Sequence, residues 1–419
     1  MTSRLSAWLL LGWLAASAHH GAPGADGAAS PAGSAAAGST PLVLISIDGF
    51  RWDYLDRHPA PNLRRLAREG VAARGLVPVF PSKTFPNHYT IVTGLHPDRH
   101  GVVANTMADA VLGRFSLADR AAVEDGRWWG GEPIWVTAER QGLRAATCFW
   151  PGSEAEIGGV RPTYWLPYDG QLAGEERVRI VLGWLDLPAD RRPSFLTLYW
   201  SDVDGAGHDT GTRSPETAAA IARVDRWIGL LLEGLEERGL FGRVNLLVVS
   251  DHGMADTPGE QTLVLEDFVD LAGVEVTGET PAIFLRPPPE RVEPIRRALA
   301  AAHPVLTVWR RESTPRSWRY RDHPRIPPLI VAVEEGWNLR EARGATGRPP
   351  PLGMHGYDPR LRSMHGILIG HGPGLAVNAR VGRIENLHLY ELMCHLLGIE
   401  PAENEGRLRA VRGLLAKGH

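Results

Sequence analysis

The 419-residue sequence predicts an α/β fold with a mostly parallel central sheet flanked by helices. Three observations carry this expectation. Leu42–Ile47 is a short apolar, β-branched run, as a strand buried on both faces requires, and it ends at Asp48. Similar runs recur at Arg144–Phe149, Phe195–Tyr199, Val244–Ser250, Leu329–Val333 and Ile367–Gly370. Helical patterns lie between several of them, the alternation expected of strand–helix–strand units.

Taken in order, the first helix is read over Pro61–Glu69. The longest runs from Pro215 to Arg238, with Ile221, Val224, Ile228, Leu231, Leu232 and Leu235 at helical spacing. Pro215 and Glu216 suit its first turn, and Gly239 suits its stop. Residues 256–350 depart from the pattern. They are rich in Pro and Arg, as in Arg286-Pro287-Pro288-Pro289, and hold a helix near Arg291–Ala302. They read as a small inserted subdomain packed on the main sheet.

At the N-terminus, Arg4 precedes an apolar run from Ala7 to Ala15, and Ala16-Ser17-Ala18 resembles a small-residue cleavage site. Residues 1–18 therefore read as a secretory signal peptide, the run being short for a membrane span; a retained anchor is the alternative. Residues 19–40 are almost all Ala, Gly, Ser and Pro, a composition that cannot bury a face and predicts a flexible tether. No later segment is apolar enough to cross a membrane, so the mature chain is expected in the periplasm or outside the cell. Export permits a disulfide between Cys148 and Cys394, but both lie in apolar context at the ends of core elements, which favours two buried free thiols.

A net charge of −3 gives no basic field for a nucleic-acid polymer. A small anionic substrate needs local cations instead, and the sequence holds ligands for them. Asp48 closes the first strand. Asp204 and His208, four residues apart, can share an ion if the chain turns between them, and Gly205 and Gly207 permit a turn. Asp251-His252 follows the strand Val244–Ser250. His355 and His365 both lie in Met-His-Gly sequences late in the chain, and either completes the set. Oxygen and imidazole ligands without a nearby cysteine suit catalytic zinc, with manganese or iron as alternatives. Thr84, before the apolar run Tyr89–Val92, is placed at a helix start, where backbone N–H groups favour an anion. A threonine hydroxyl becomes a nucleophile once a metal or base lowers its pKa.

The stretches Ile47-Asp48-Gly49-Phe50-Arg51, Lys83-Thr84-Phe85-Pro86-Asn87, Asp204-Gly205-Ala206-Gly207-His208, Ser250-Asp251-His252-Gly253-Met254 and Met354-His355-Gly356-Tyr357-Asp358 closely resemble the nucleotide pyrophosphatase/phosphodiesterase family of the alkaline phosphatase superfamily, as a bacterial member. Pro86–Pro97 and Trp150–Ser153 extend the likeness, which covers about 41–398. The resemblance implies an alkaline-phosphatase-like core and two Zn2+. It implies Asp48, Thr84, Asp251 and His252 as ligands of one ion, and Asp204, His208 and His355 as ligands of the other. Thr84 is implied as nucleophile, Asn105 as donor to a phosphoryl oxygen, and Phe85, Tyr168 and Tyr199 as aromatic contacts to the leaving group or base. It favours His355 over His365, because Gly356-Tyr357-Asp358 continues the family loop. Where animal members often carry Glu-Glu-Pro, this chain has Tyr199-Trp200-Ser201-Asp202-Val203; the spacing to His208 still selects Asp204 over Asp202. The implied reaction is hydrolysis of a nucleotide phosphodiester or phosphoanhydride to a nucleoside 5'-monophosphate. A non-nucleotide phosphate ester, or a non-catalytic binding protein, is the competing expectation.

Overall fold

The computed structural model describes residues 40–342 and 349–418. The signal-peptide reading and, but for Thr40, the tether reading fall on residues outside these.

The central sheet has eight strands. In chain order they are β1 (Leu42–Ile47), β2 (Val71–Ala73), β3 (Ala145–Cys148), β4 (Tyr164–Trp165), β5 (Phe195–Trp200), β6 (Asn245–Val249), β11 (Leu368–His371) and β12 (Ala379–Val381). Their spatial order is β12-β2-β11-β6-β1-β5-β3-β4. β1 pairs in parallel with β5 and β6, and β3 in parallel with β5 and β4. β11, by contrast, runs antiparallel to β6 and β2.

β1 shows why its run is apolar but for Ser46, whose hydroxyl bonds His88 Nε2 at 2.8 Å. Leu42 and Leu44 enter one core, against Tyr89, Ile91 and Val92 of α2 (Thr84–Thr93). Val43, Ile45 and Ile47 enter the other, against α1 (Pro61–Glu69), α3 (Gly174–Leu185) and α5 (Pro215–Glu237). Alternate residues thus bury on opposite faces, and every one of the six is inaccessible. Replacing a fully buried Ile such as Ile45 by Ala is expected to cost roughly 2–5 kcal/mol.

Leu329–Val333 does not continue this sheet. It is β10 of a separate antiparallel four-stranded sheet with β7 (Glu275–Glu279), β8 (Ala282–Arg286) and β9 (Leu306–Arg310), in the order β7-β8-β10-β9. Period-two burial sets its two faces. Ile283 and Leu285 pack with Ile295 and Leu299 of α6 (Val292–Ala302), whereas Ala282 and Phe284 join the main core beside Tyr320 and Ile326. An apolar five-residue run reads identically in both settings, because only its partners fix its direction. Both cysteines are buried and free. Among the described residues no helix is long and apolar enough to cross a membrane.

Candidate active site

The site lies at the carboxyl ends of β1, β5 and β6, where doubly wound sheets collect their ligands. Asp48 directly follows β1, and Gly49 turns the chain with φ +67°. A Cβ at Gly49 would stand 2.9 Å from Cα of Asp204, so glycine is what lets these two acidic segments approach. Asp204 and His208 sit on α4 (Asp202–Thr210), just past β5. The turn expected from Gly205 and Gly207 is absent; the segment is helical. Four-residue spacing then puts both side chains on one face, with His208 Nε2 3.5 Å from Asp204 Oδ1. Gly207 provides room for Met254 against the helix.

Two ligand groups result. Asp48, Asp251 and His252 form one, and Asp204, His208 and His355 the other; within each, one ligand atom per residue lies within 4.8 Å of the others. His252 Nε2 is 2.9 Å from Asp251 Oδ2, 3.4 Å from Asp48 Oδ1 and 3.4 Å from Thr84 Oγ1. His355 Nε2 is 3.1 Å from His208 Nε2 and 3.6 Å from Asp204 Oδ1. His365 stands apart, with its Nε2 3.1 Å from the Pro359 carbonyl.

Three features fit these groups to metal ions. Asp48 Oδ1 and Asp204 Oδ1 are buried without a hydrogen-bond partner, although such oxygens are costly to leave unsatisfied. Burial, reinforced by Asp251 and Asp204, pushes the Asp48 carboxyl well above the usual range, the mark of negative charges crowded together. Burial also acts to raise Asp251, but His252 and His88 outweigh it and hold that carboxyl low. Finally, each histidine anchors Nδ1 on a backbone carbonyl: His208 on Gly353 at 2.7 Å, His355 on Ser82 at 2.8 Å and His252 on Gly253 at 2.9 Å. An Nδ1–H donated to a carbonyl leaves the Nε2 lone pair for a metal.

Thr84 opens α2, whose N-cap Lys83 supplies no side-chain cap, so the first N–H groups have no acceptor within the helix. Asn105 Oδ1 accepts from Phe85 N–H at 3.0 Å, which leaves its amide NH2 as the side chain's donor group. Beside Thr84 opens a cavity of about 210 Å3 lined by Phe85, Phe149, Trp150, Tyr168 and Tyr199, and also by Asp48 and Asp204. Tyr199 does more than wall it. Its hydroxyl donates to Asp48 Oδ2 at 2.6 Å and its ring is buried, whereas Tyr168 is 41% exposed.

Sequence reasoning missed His88. Its ring is fully buried, with Nδ1 2.9 Å from the Thr84 carbonyl and 3.3 Å from Asp251 Oδ2, and Nε2 2.8 Å from Ser46 Oγ. His88 is one turn after Thr84, and that helical spacing was the available signal. The carbonyl anchors of the three histidines carry no sequence signal at all.

Fold and ligand geometry together define a metal-ligating hydrolase of the alkaline phosphatase superfamily. The chain belongs to the type I phosphodiesterase / nucleotide pyrophosphatase family, whose model matches residues 42–358. It is accordingly a hydrolase of nucleotide phosphodiester and pyrophosphate bonds. Human ectonucleotide pyrophosphatase/phosphodiesterase family member 5 is 35% identical over 376 residues, 89% of this chain and 78% of that protein. A venom phosphodiesterase of Crotalus durissus collilineatus is 38% identical over 387 residues, 90% of this chain but 46% of the venom protein. The chain thus spans about half the length of that relative. The solved structure of an inactive threonine-to-alanine variant of murine family member 5, in complex with AMP, superposes with a TM-score of 0.86 at 34% identity, covering 90% of this chain and 100% of that one.

Proposed function

We propose that the chain is a two-metal nucleotide pyrophosphatase/phosphodiesterase that uses Thr84 as its nucleophile and releases a nucleoside 5'-monophosphate. The observation that carries this reading is the position of Thr84 Oγ1, at a helix start and 3.4 Å from His252 Nε2 on the edge of the first ligand group. The loss of activity named for the murine threonine-to-alanine variant supports a threonine in this role.

Asp48, Asp251 and His252, with Thr84, hold one ion, and Asp204, His208 and His355 hold the other; zinc is the metal this donor set favours. When bound, the ions lower the pKa of the hydroxyl and of the hydrolytic water and neutralise charge on the leaving oxygen. Thr84 Oγ attacks phosphorus, the bond to the leaving group breaks, and the nucleotide is carried as a threonine ester. Water then cleaves that ester and regenerates the hydroxyl. The Thr84 N–H and the Asn105 amide donate to a non-bridging oxygen, the geometry of an oxyanion hole. Phe85 and Tyr168 flank the base or leaving group. Tyr199 acts mainly on Asp48, fixing the carboxylate whose other oxygen is left for the ion.

Residues 1–18 are proposed as a cleaved signal peptide, residues 19–40 as a tether and 256–350 as an insertion in the catalytic domain. A periplasmic or secreted location follows from the same reading, and a bacterial source is proposed with it; relatives named as venom and ecto enzymes fit export. Chelator-stripped protein, assayed with a p-nitrophenyl nucleotide diester and with p-nitrophenyl phosphate before and after zinc is restored, tests the proposal. Zinc-dependent turnover that favours the diester is expected. A preference for the monoester transfers the core to a different phosphate ester, and no turnover of either leaves a binding protein.

A further inference from the structure

We infer that Arg325 and Tyr320, in the region after β9, are positioning residues for Asn105 and so for the oxyanion contact. The inference rests on the role proposed above for Asn105.

Residues 101–105 form no regular element, yet Gly101, Val102, Val103 and Ala104 are buried, as is Asn105 at 6% exposure. Buried carbonyls outside a ladder or helix need other donors. The insertion supplies them. Tyr320 Oη donates to the Val103 carbonyl at 2.8 Å, and Arg325 Nη1 donates to the Gly101 carbonyl at 3.0 Å. On the far side of Asn105, Thr106 Oγ1 donates to the Gly278 carbonyl at 3.1 Å, and Arg325 Nε bonds Asp109 Oδ2 at 2.8 Å. One guanidinium therefore grips the chain four residues before Asn105 and four residues after it.

Arg325 is itself locked. It is 7% exposed, and its guanidinium lies over the Trp128 ring at 4.6 Å. Its remaining donors reach the Trp128 carbonyl at 2.7 Å and the Arg127 carbonyl at 3.1 Å. The planar fork with five donors makes all these bonds at once, which a lysine cannot do. Asn105 consequently has its backbone fixed from behind by the insertion and its side chain fixed in front by Phe85 N–H. A loop held this way keeps its amide in place without any substrate present, as a preorganised donor must be.

The test is a double-mutant cycle on the zinc-loaded full chain, using Arg325→Met, Tyr320→Phe and Asn105→Ala. Tyr320→Phe removes one hydroxyl and keeps the buried ring, so it covers the case in which Arg325→Met does not fold. Misplacing the amide by a fraction of an ångström is expected to lower kcat about tenfold for Arg325→Met and severalfold for Tyr320→Phe, with KM and bound zinc nearly unchanged. In the Asn105→Ala background both losses should shrink to less than about twofold, because the group they position is gone. Equal losses in the two backgrounds, or a loss that tracks zinc content, overturn the positioning role while leaving Asn105 in place. An Asn105→Ala variant with unchanged kcat overturns the Asn105 role and this inference with it.

Discussion

The imidazole of His252 stacks on that of His355, with ring centroids 3.5 Å apart and planes 11° apart. One ring belongs to each ligand group, so this contact joins the two halves of the site. The residues lie on opposite sides of the 256–350 region, and a short ladder between Ala255–Asp256 and Gly353–Met354 brings them together. His355 is thereby delivered where the chain returns from residues 256–350. Burial, then the neighbouring His252 and Lys83, hold its imidazole well below the usual range and keep it neutral, the form that ligates a metal.

Tyr199→Phe removes the hydroxyl that donates to Asp48 Oδ2 and keeps the ring that walls the cavity. Loss of a partner to a metal-ligating carboxylate typically costs 10–100-fold in metal affinity. Competition with a chelator should show a loss of about that size, and the KM for a nucleotide diester should change far less.

Gly49→Ala meets both a φ of +67° and the Asp204 backbone. The left-handed conformation alone costs about 1–2 kcal/mol in a residue with a Cβ. Thermal unfolding should show at least that loss, and the displacement of Asp204 should weaken metal binding in the same variant.

His100 makes acid stability pH-dependent. Burial lowers its pKa to about 3, and the neutral ring accepts from Val102 N–H while bonding Thr90 Oγ1. The folded pKa lies below the unfolded value of about 6.5, so the unfolded chain takes up the proton first. This contribution is complete above pH 6.5 and is lost as pH falls toward 3, with a limiting slope of about 1.4 kcal/mol per pH unit. His100→Gln should flatten urea-unfolding free energies across that window relative to the wild type, both proteins being metal-free so that the shared titration of the ligand residues cancels.

Cys148 and Cys394 are buried, and burial pushes both thiols up to about 12. A thiol-reactive dye should label neither in the native protein and both after denaturation, without reductant. Labelling of none after denaturation would indicate the disulfide that export permits.

The site was legible where chemistry coincides with strand ends. Asp48 directly follows β1, and Asp251-His252 lie just past β6 after Ser250, because apolar runs fix strand limits and the residues beyond them inherit the sheet's carboxyl edge. The Asp204–His208 pair was legible as a pair but not as a helix, since two glycines argue for a turn and only packing beneath Met254 overrides them. The resemblance makes Tyr199 an aromatic contact to the base or leaving group, and an aromatic side chain at a strand end carries no sign of where its hydroxyl points. The direction of Leu329–Val333 and the carbonyl anchors of the histidines depend on distant backbone, which no local pattern encodes. The separation of His355 from His365 came from the loop sequence that follows His355; in space, only His355 lies beside Asp204 and His208.

The central claim is that Thr84 carries the nucleotide. Acid-quenching the zinc-loaded protein during turnover of a nucleotide diester, then digesting it and weighing the peptide that contains Thr84, tests this most directly. The account predicts a fraction of that peptide heavier by one nucleoside monophosphate, on Thr84, and none in Thr84→Ala. An unmodified peptide together with turnover by Thr84→Ala would contradict it.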